Sequence, residues 1–218
     1  MGDNHQMTDQ PDFIHVFEPP APGEGDLTLL LLHGTGGSES DLIPLGRQLA
    51  PGAGLLSPRG KVLEGGVLTR FFRRHGEGLL DIEDLKERTD EMAEFLEWAS
   101  AEYGYDPAGL VALGFSNGAN VATALLFRHP ERLAGAALLR PMLPYRPDPL
   151  PDLAGKSALI LAGENDPMVP LDQPRDLASL LAEAGASVEA DVSIGVGHNL
   201  SEADLASLAS WIRGLRGK

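Results

Sequence analysis

One serine in this sequence lies in a pattern that is typical of nucleophiles. An apolar run from Leu110 to Leu113 leads into Gly114-Phe115-Ser116-Asn117-Gly118, and small residues at helical spacing follow from Ala119. A G-x-S-x-G sequence between a strand and a helix holds its serine at a sharp bend with the hydroxyl exposed. The two glycines lack Cβ atoms, so strand and helix can approach closely. The pattern predicts Ser116 as a nucleophile, although a chain with 26 glycines among 218 residues also produces such pentapeptides by chance.

A serine hydroxyl is a poor nucleophile near neutral pH, so it needs a base beside it, and histidine has the suitable pKa. Of the six histidines, His33, His75 and His198 are the candidates, because the others lie in the N-terminal tail, within a predicted strand and at a helix end. His198 is favoured, since it follows the last predicted strand in a glycine-rich turn. The alternative is that His198 is an ordinary loop histidine.

The base in turn needs a carboxylate that fixes its tautomer and stabilises the imidazolium. Asp166 follows a predicted strand at residues 157–162 and is favoured over Glu164, because Asp166-Pro167 is better placed in the turn. The alternative is a plain acidic turn. The resulting chain order of serine, aspartate and histidine is the order expected for α/β-hydrolases.

A second glycine-rich loop, His33-Gly34-Thr35-Gly36-Gly37, follows another apolar run. It is similar to the oxyanion loops of esterases, which supply a backbone N–H to a tetrahedral intermediate. We assign that donor to Thr35 and a second donor to Asn117, at the start of the helix after the serine. The loop is not followed by Lys-Ser or Lys-Thr, as a phosphate-binding loop would be.

Strands and helices alternate along most of the chain, which predicts an α/β fold with a mostly parallel, doubly wound sheet flanked by helices. Ligands of such sheets bind beyond the carboxyl ends of the strands, where all the candidate residues lie. Residues 61–80 form the least regular segment. The predicted strands cover residues 13–17, 27–32, 53–57, 110–113, 133–139, 157–162 and 187–194, and the predicted helices cover residues 41–50, 81–103, 119–128, 172–184 and 201 onwards.

These motifs together resemble the phospholipase/carboxylesterase family of α/β-hydrolases, which includes acyl-protein thioesterases and small bacterial carboxylesterases. The resemblance covers about residues 13–215 and is greatest to a bacterial branch with Thr35 in the oxyanion loop and an Arg-Phe-Phe-Arg-Arg-like segment at residues 70–74. It implies the α/β-hydrolase fold, a Ser116–Asp166–His198 triad, no cofactor and a homodimer. Asn117 replaces the glutamine that the family carries there. The leucine of the thioesterases' oxyanion loop is absent, which argues against long-acyl protein substrates.

Length and composition fit one domain at residues 13–218, after a disordered tail at residues 1–12 in which Met7 is a second candidate start. The longest apolar runs are too short to span a membrane, and no secretory signal is recognisable. The net charge of −15 disfavours nucleic acid and anionic membranes as partners, and it slows the approach of strongly anionic substrates. The chain has no cysteine, so a thiol nucleophile and Cys metal ligands are excluded, and a cytoplasmic location is the default expectation.

The expected chemistry is two-step acyl transfer on small carboxylic esters or thioesters, without a metal or organic cofactor. The absence of a cap domain predicts an open, shallow site. Two alternatives stay open: a catalytically silent ligand-binding protein, and a peptidase or dienelactone-type hydrolase on the same fold. Side chains near the site are candidates for substrate contacts, although they would equally serve as packing under loops; they are Phe71, Phe72, His75, Met142 and Met168.

Overall fold

A central seven-stranded sheet organises the computed structural model, which describes residues 11–23 and 26–216. Residues 1–10 of the predicted tail lie outside the described residues. The strands are β1 (His15–Glu18), β2 (Thr28–Leu32), β3 (Gly54–Pro58), β4 (Val62–Glu64), β5 (Leu68–Arg70), β6 (Arg74–Gly76), β7 (Leu79–Leu80), β8 (Leu110–Phe115), β9 (Gly135–Leu139), β10 (Ser157–Gly163) and β11 (Ser187–Ser193). The helices are α1 (Ile43–Leu49), α2 (Ile82–Tyr103), α3 (Asn117–Arg128), α4 (Asp172–Glu183) and α5 (Glu202–Arg216).

The sheet has the strand order β1-β3-β2-β8-β9-β10-β11. Strand β1 runs antiparallel to β3, and each of the other neighbouring pairs is parallel. The sequence-based prediction of a mostly parallel, doubly wound α/β sheet is therefore confirmed, and β1 is added as an antiparallel edge strand. No helix among residues 11–23 and 26–216 combines the length and apolar character needed to cross a membrane.

Helices cover both faces of the sheet because its inner strands are apolar on both sides. Alternate residues of β2 point to opposite faces: Leu30 and Leu32 join the core beneath α2, α3 and α4, whereas Leu29 and Leu31 join the core beneath α1 and α5. All four leucines are fully buried. Burial on both faces explains why β2 is a continuous apolar run rather than an alternating pattern.

The direction of winding reverses between β2 and β8. From β2 the chain crosses through α1 to β3 on one side, and from β8 it crosses through α3 to β9 on the other. Such a reversal opens a crevice at the carboxyl ends of the two strands, which is where open α/β sheets bind their ligands. The loop at residues 33–37 and the turn at residues 114–118 meet at this crevice.

Two segments differ in detail from the predictions. Helix α1 begins at Ile43, two residues after its predicted start, and its cap residue Leu42 makes no side-chain capping bond. In the turn before the helix, Ser38 Oγ donates to Asp41 Oδ1 over 2.6 Å. The irregular stretch between β3 and α2 forms two small antiparallel hairpins, β4–β5 and β6–β7, and no cap domain is inserted there.

Candidate active site

Ser116 sits on a strained turn between β8 and α3, with φ at 53° and ψ at −111°. Non-glycine residues rarely adopt a positive φ, so the surrounding structure has to impose it. Glycine is required on both sides of the bend. A Cβ at Gly114 would lie 2.5 Å from the carbonyl oxygen of Gly118, and a Cβ at Gly118 would lie 2.1 Å from the carbonyl oxygen of Leu32. The strand, the helix and the neighbouring β2 thus close around Ser116 only because the glycines leave room.

The structure brings Ser116, His198 and Asp166 into one hydrogen-bonded chain. His198 Nε2 lies 2.8 Å from Ser116 Oγ, and His198 Nδ1 lies 2.6 Å from Asp166 Oδ2. Ser116 follows β8, Asp166 follows β10 and His198 follows β11, so the carboxyl ends of three parallel strands at one edge of the sheet supply the three side chains. The carboxylate is only 1% exposed, whereas the imidazole is 17% exposed. In this arrangement, His198 can remove the serine proton while its other nitrogen stays hydrogen-bonded to the carboxylate.

Backbone groups hold Asp166 in place. Its Oδ1 atom accepts hydrogen bonds from the backbone N–H groups of Met168 at 2.8 Å and Val169 at 3.1 Å, which leaves Oδ2 for His198. The competing carboxylate, Glu164, is exposed and accepts from the Gly195 N–H over 2.8 Å. The structure therefore places Asp166, and not Glu164, beside the imidazole.

The two other candidate histidines do not reach Ser116. His33 is buried; its Nδ1 bonds to the carbonyl oxygen of Gly34 over 2.7 Å, and its Nε2 accepts the Gly60 N–H over 3.0 Å. Burial lowers the pKa of His33 below its ordinary value, which favours a neutral structural imidazole. The side chain of His75 is 70% exposed and lies 3.9 Å from Asp81.

The loop at residues 33–37 packs directly against the serine turn. A Cβ at Gly34 would approach the ring of Phe115 to 2.8 Å, so glycine permits this contact. The N–H groups of Thr35 and Asn117 have no hydrogen-bond acceptor among the described residues, and both residues line the same cleft as Ser116. Two such N–H groups at the start of a helix and at a strand end can stabilise a developing oxyanion.

The segment after β5 holds the side chains of both candidate donor residues. Arg70 Nη1 donates to Thr35 Oγ1 over 2.5 Å, and the Phe71 N–H donates to Asn117 Oδ1 over 2.8 Å. The Gly36 N–H donates to the carbonyl oxygen of Thr69 over 2.8 Å. The hairpin β4–β5 and the residues that follow it therefore position the loop at residues 33–37 and the serine turn relative to each other.

Arg140 is a site residue that the sequence analysis missed. It directly follows β9, has a φ of 55° and is only 1% exposed. Its guanidinium donates to the carbonyl oxygens on either side of His198, those of Gly197 at 3.2 Å and Asn199 at 2.6 Å, and to that of Leu161 at 2.9 Å. It also pairs with buried Asp204 of α5 over 2.6 Å. Arg140 therefore fixes the backbone that carries the imidazole.

Asp204 completes this anchor. Its carboxylate accepts from Ser193 Oγ at 2.8 Å and from the N–H and Oγ of Ser201 at 2.7 and 2.8 Å, besides Arg140. Burial alone would raise the pKa of Asp204, but these hydrogen bonds outweigh it and hold the pKa below its ordinary value. An arginine and an aspartate 64 residues apart carry no local sequence signal, so only the fold reveals the pair.

The predicted pocket residues divide into two groups. Met142 and Met168 line the cleft together with Ser116 and His198. Phe71 and Phe72 are instead buried in the core between the sheet and α2, and neither these two nor exposed His75 lines the cleft. The cleft contains about 410 Å³ of empty space, part of which is open to solvent. No cluster of metal-ligating side chains occurs in the described ranges 11–23 and 26–216.

Comparison with known proteins identifies relatives along nearly the whole chain. A family model described as phospholipase/carboxylesterase matches residues 77–215, which include Ser116, Asp166 and His198. The Bacillus subtilis protein MhqD, named as a hydrolase, is 41% identical over 199 residues, which are 91% of this chain and 97% of the relative.

Solved structures agree with this relationship. The Bacillus cereus carboxylesterase is 44% identical with a TM-score of 0.89, and the match covers 93% of this chain and 94% of that protein. A carboxylesterase from Mesorhizobium loti is 34% identical with a TM-score of 0.79, and the match covers 87% and 90% of the two chains. The backbone that carries the cleft is therefore shared with proteins of this class.

Proposed function

The chain belongs to the phospholipase/carboxylesterase family of α/β-hydrolases, and from that premise we propose that it is a serine carboxylesterase acting on small esters through a Ser116–His198–Asp166 triad. The observation that carries the proposal is the hydrogen-bonded chain from Ser116 Oγ through His198 to Asp166, with links of 2.8 and 2.6 Å. Its relatives support esterase chemistry in general, and the roles of the individual residues are our assignment.

In the first half of the reaction, Ser116 Oγ attacks the ester carbonyl carbon while His198 Nε2 accepts the hydroxyl proton. The resulting oxyanion lies between the N–H groups of Thr35 and Asn117. Asp166 keeps the proton on Nδ1 and stabilises the imidazolium. Collapse of the tetrahedral intermediate breaks the bond to the alcohol oxygen, and His198 gives that oxygen its proton. The acyl group is then bound to Ser116 and the alcohol is free.

In the second half, water replaces the alcohol. His198 removes a proton from the water as it attacks the acyl carbonyl carbon, and the same two N–H groups hold the second oxyanion. Expulsion of Ser116 Oγ, which recovers its proton from His198, releases the carboxylic acid. Removing one oxyanion donor in enzymes of this kind typically costs about 100- to 1,000-fold in kcat.

A small and open cleft favours short acyl and alcohol groups. Met142 and Met168 give it apolar walls that adapt their shape, and no cap domain extends it. Thioesters fit the same chemistry. We also propose a cytoplasmic location and a homodimer, which follow from composition and from the family resemblance.

Two alternatives predict different behaviour. A silent ligand-binding protein would keep the fold without turnover, and the strained serine turn with its aligned imidazole argues against it, since such strain is costly without chemistry. A peptidase would cleave amides as well as esters.

The direct test is hydrolysis of p-nitrophenyl acetate, butyrate and octanoate by the wild type and by Ser116→Ala. We expect turnover that is highest on the short chains, and a loss in the variant of several orders of magnitude. Ser179→Ala is the matched control, because Ser179 lies exposed on α4 and bonds only to the carbonyl oxygen of Arg175. Equal rates for wild type and Ser116→Ala would remove Ser116 as the nucleophile, and absence of turnover on every ester and thioester would favour a binding protein.

A further inference from the structure

A buried guanidinium opens into the cleft that contains Ser116. Arg70, the last residue of β5, is only 3% exposed, and it lines the cleft beside Thr35 and His198. Burying a charge costs free energy unless a partner compensates it. The contacts of Arg70 therefore indicate whether its charge is already compensated by other groups of the protein or is available to a ligand.

Arg70 uses only part of its hydrogen-bonding capacity. Nη1 donates to Thr35 Oγ1 over 2.5 Å, and Nε donates to the carbonyl oxygen of Phe72 over 3.1 Å. These acceptors are neutral. Nη2 has no hydrogen-bond acceptor among the described residues, and an arginine fork with a free terminal nitrogen is suited to bind a carboxylate.

The nearest carboxylate cannot neutralise Arg70 alone. Glu64 lies 3.3 Å from Arg70 Nε, but it also accepts from Arg74 at 2.7 Å, and Arg74 lines the same cleft. Two cations thus share one anion. Exposed Glu77 also lines the cleft without an ion pair among the described residues, and water screens its charge. Burial and the neighbouring Arg74 lower the pKa of Arg70, so its charged form is held at a cost that an anionic ligand would relieve.

We propose that Arg70 and Arg74 form a subsite for a carboxylate carried by the ester substrate. The inference rests on the proposed function and narrows it to esters with an acidic group near the scissile bond. The spacing follows from Thr35: its side chain contacts Arg70, and its N–H is the proposed oxyanion donor. A carboxylate a few bonds from the ester carbonyl would therefore be close to the guanidinium. The net charge of −15 repels anions at long range, so selectivity for acidic esters would arise in this short-range contact.

Matched ester pairs test the subsite on both sides of the scissile bond. Methyl hydrogen succinate carries a carboxylate in its acyl part where methyl levulinate carries a methyl ketone. Acetoxyacetate and acetoxyacetone differ in the same way in the alcohol part. Acid release is followed at constant pH, and each rate is divided by that of hydroxide-catalysed hydrolysis so that intrinsic reactivity cancels. We expect kcat/KM of the wild type to favour the anionic ester of at least one pair by about 10- to 100-fold. The pair that responds identifies the side.

Variants separate a ligand contact from a structural one. Arg70→Met should reduce the anionic-to-neutral ratio to about one, mainly through KM, and Arg70→Lys should keep part of it because the charge remains. Arg73→Met is the control, because Arg73 is also an arginine, pairs with Asp84 over 3.0 Å and does not line the cleft. The anionic-to-neutral ratio of kcat/KM for this variant should equal that of the wild type. Arg74→Met, which removes a partly exposed side chain, should lower the ratio even if Arg70→Met fails to fold.

Several outcomes would overturn the subsite. In one, the wild type shows no preference in either ester pair. In the other, Arg70→Met slows the anionic and the neutral ester equally, which would mean that Arg70 only orients Thr35. In both cases the carboxylesterase proposal would stand. Binding to Ser116→Ala, measured by calorimetry, tests the subsite without turnover. Tighter binding of methyl hydrogen succinate or acetoxyacetate than of its neutral counterpart supports the subsite, and equal binding within both pairs contradicts it. Absence of all turnover would instead refute the proposed function.

Discussion

Replacing Asp204 by Asn tests whether a buried ion pair positions the imidazole of His198, the proposed base. The carboxylate accepts two hydrogen bonds from Arg140, two from Ser201 and one from Ser193, all at 2.6–3.2 Å. An asparagine of equal size leaves the Arg140 guanidinium without a counter-ion and turns an N–H₂ group toward some of these donors. Arg140 in turn bonds to the carbonyl oxygens on both sides of His198. The loop that carries His198 should therefore lose its anchor.

These contacts determine the expected size of the loss in stability and in rate. Removing one partner of a buried ion pair costs about 3–5 kcal/mol. Because Arg140 keeps three carbonyl acceptors, we expect a loss near the lower end, about 3 kcal/mol in the free energy of unfolding. Displacing a reacting group by about 1 Å can cost about 100-fold in rate. We therefore expect kcat on p-nitrophenyl butyrate to fall about 10- to 100-fold with KM changed by less than about 2-fold.

Two controls distinguish positioning from general destabilisation. Leu181→Ala removes a fully buried side chain of α4 and should cost a similar 2–5 kcal/mol without changing kcat at temperatures well below unfolding. Asp191→Asn carries the same chemical change on an exposed carboxylate that bonds to Ser207 of α5. Denaturant unfolding and steady-state kinetics are measured on all the variants. A value of kcat for Asp204→Asn that equals that of Leu181→Ala would refute the positioning role.

Three further predictions rest on separate features. Gly118→Ala should lower the free energy of unfolding by about 3 kcal/mol in denaturant titrations, because the new Cβ would lie 2.1 Å from a carbonyl oxygen of β2. The control is Gly214→Ala in α5, where a Cβ meets nothing within 4 Å; it should stabilise the protein by up to about 1 kcal/mol. Equal effects of the two substitutions would contradict the steric argument. Asn117→Ala should cost about 1–3 kcal/mol by leaving a buried backbone N–H unpaired, yet keep kcat within about 10-fold because the backbone donor remains; a loss as large as that of Ser116→Ala would rule this out. The pKa of Asp204 is lower in the folded than in the unfolded state, so its carboxylate stabilises the fold above the unfolded pKa of about 3.9 and this contribution is lost as the pH falls through the folded value. The difference in free energy of unfolding between wild type and Asp204→Asn should therefore shrink below about pH 4. A difference that stays constant with pH would contradict this linkage.

Sequence reasoning succeeded where the local pattern is itself the physical requirement. Gly114 and Gly118 leave the space that the bend at Ser116 needs, and both are visible in the sequence. The alternation of apolar runs and amphipathic segments likewise specified the parallel sheet, because buried strands such as β2 have to be apolar on both faces. The sequence analysis also selected Asp166 and His198 from the turns after two predicted strands; the structure shows β10 and β11 to be neighbours and brings the two side chains within 2.6 Å.

The missed features depend on contacts between distant parts of the chain. Arg140 and Asp204 become informative only when β9 and α5 are adjacent. For the segment at residues 70–74 the sequence analysis left substrate contact and packing open for the two phenylalanines; the structure shows that they fill the core, whereas Arg70 lines the cleft. Neither aromatic character nor charge decides orientation there, because the direction of each side chain is set by the hairpin β4–β5.

The central claim is that Ser116 becomes acylated during turnover. Intact-mass spectrometry after treatment with a fluorophosphonate, which traps activated serines as stable phosphonyl adducts, tests it most directly. We predict one adduct in the wild type, mapped by peptide analysis to Ser116, no adduct in Ser116→Ala, and much slower labelling in His198→Ala because its serine has no base. An adduct at another residue, or labelling of Ser116→Ala at the wild-type rate, would contradict the assignment.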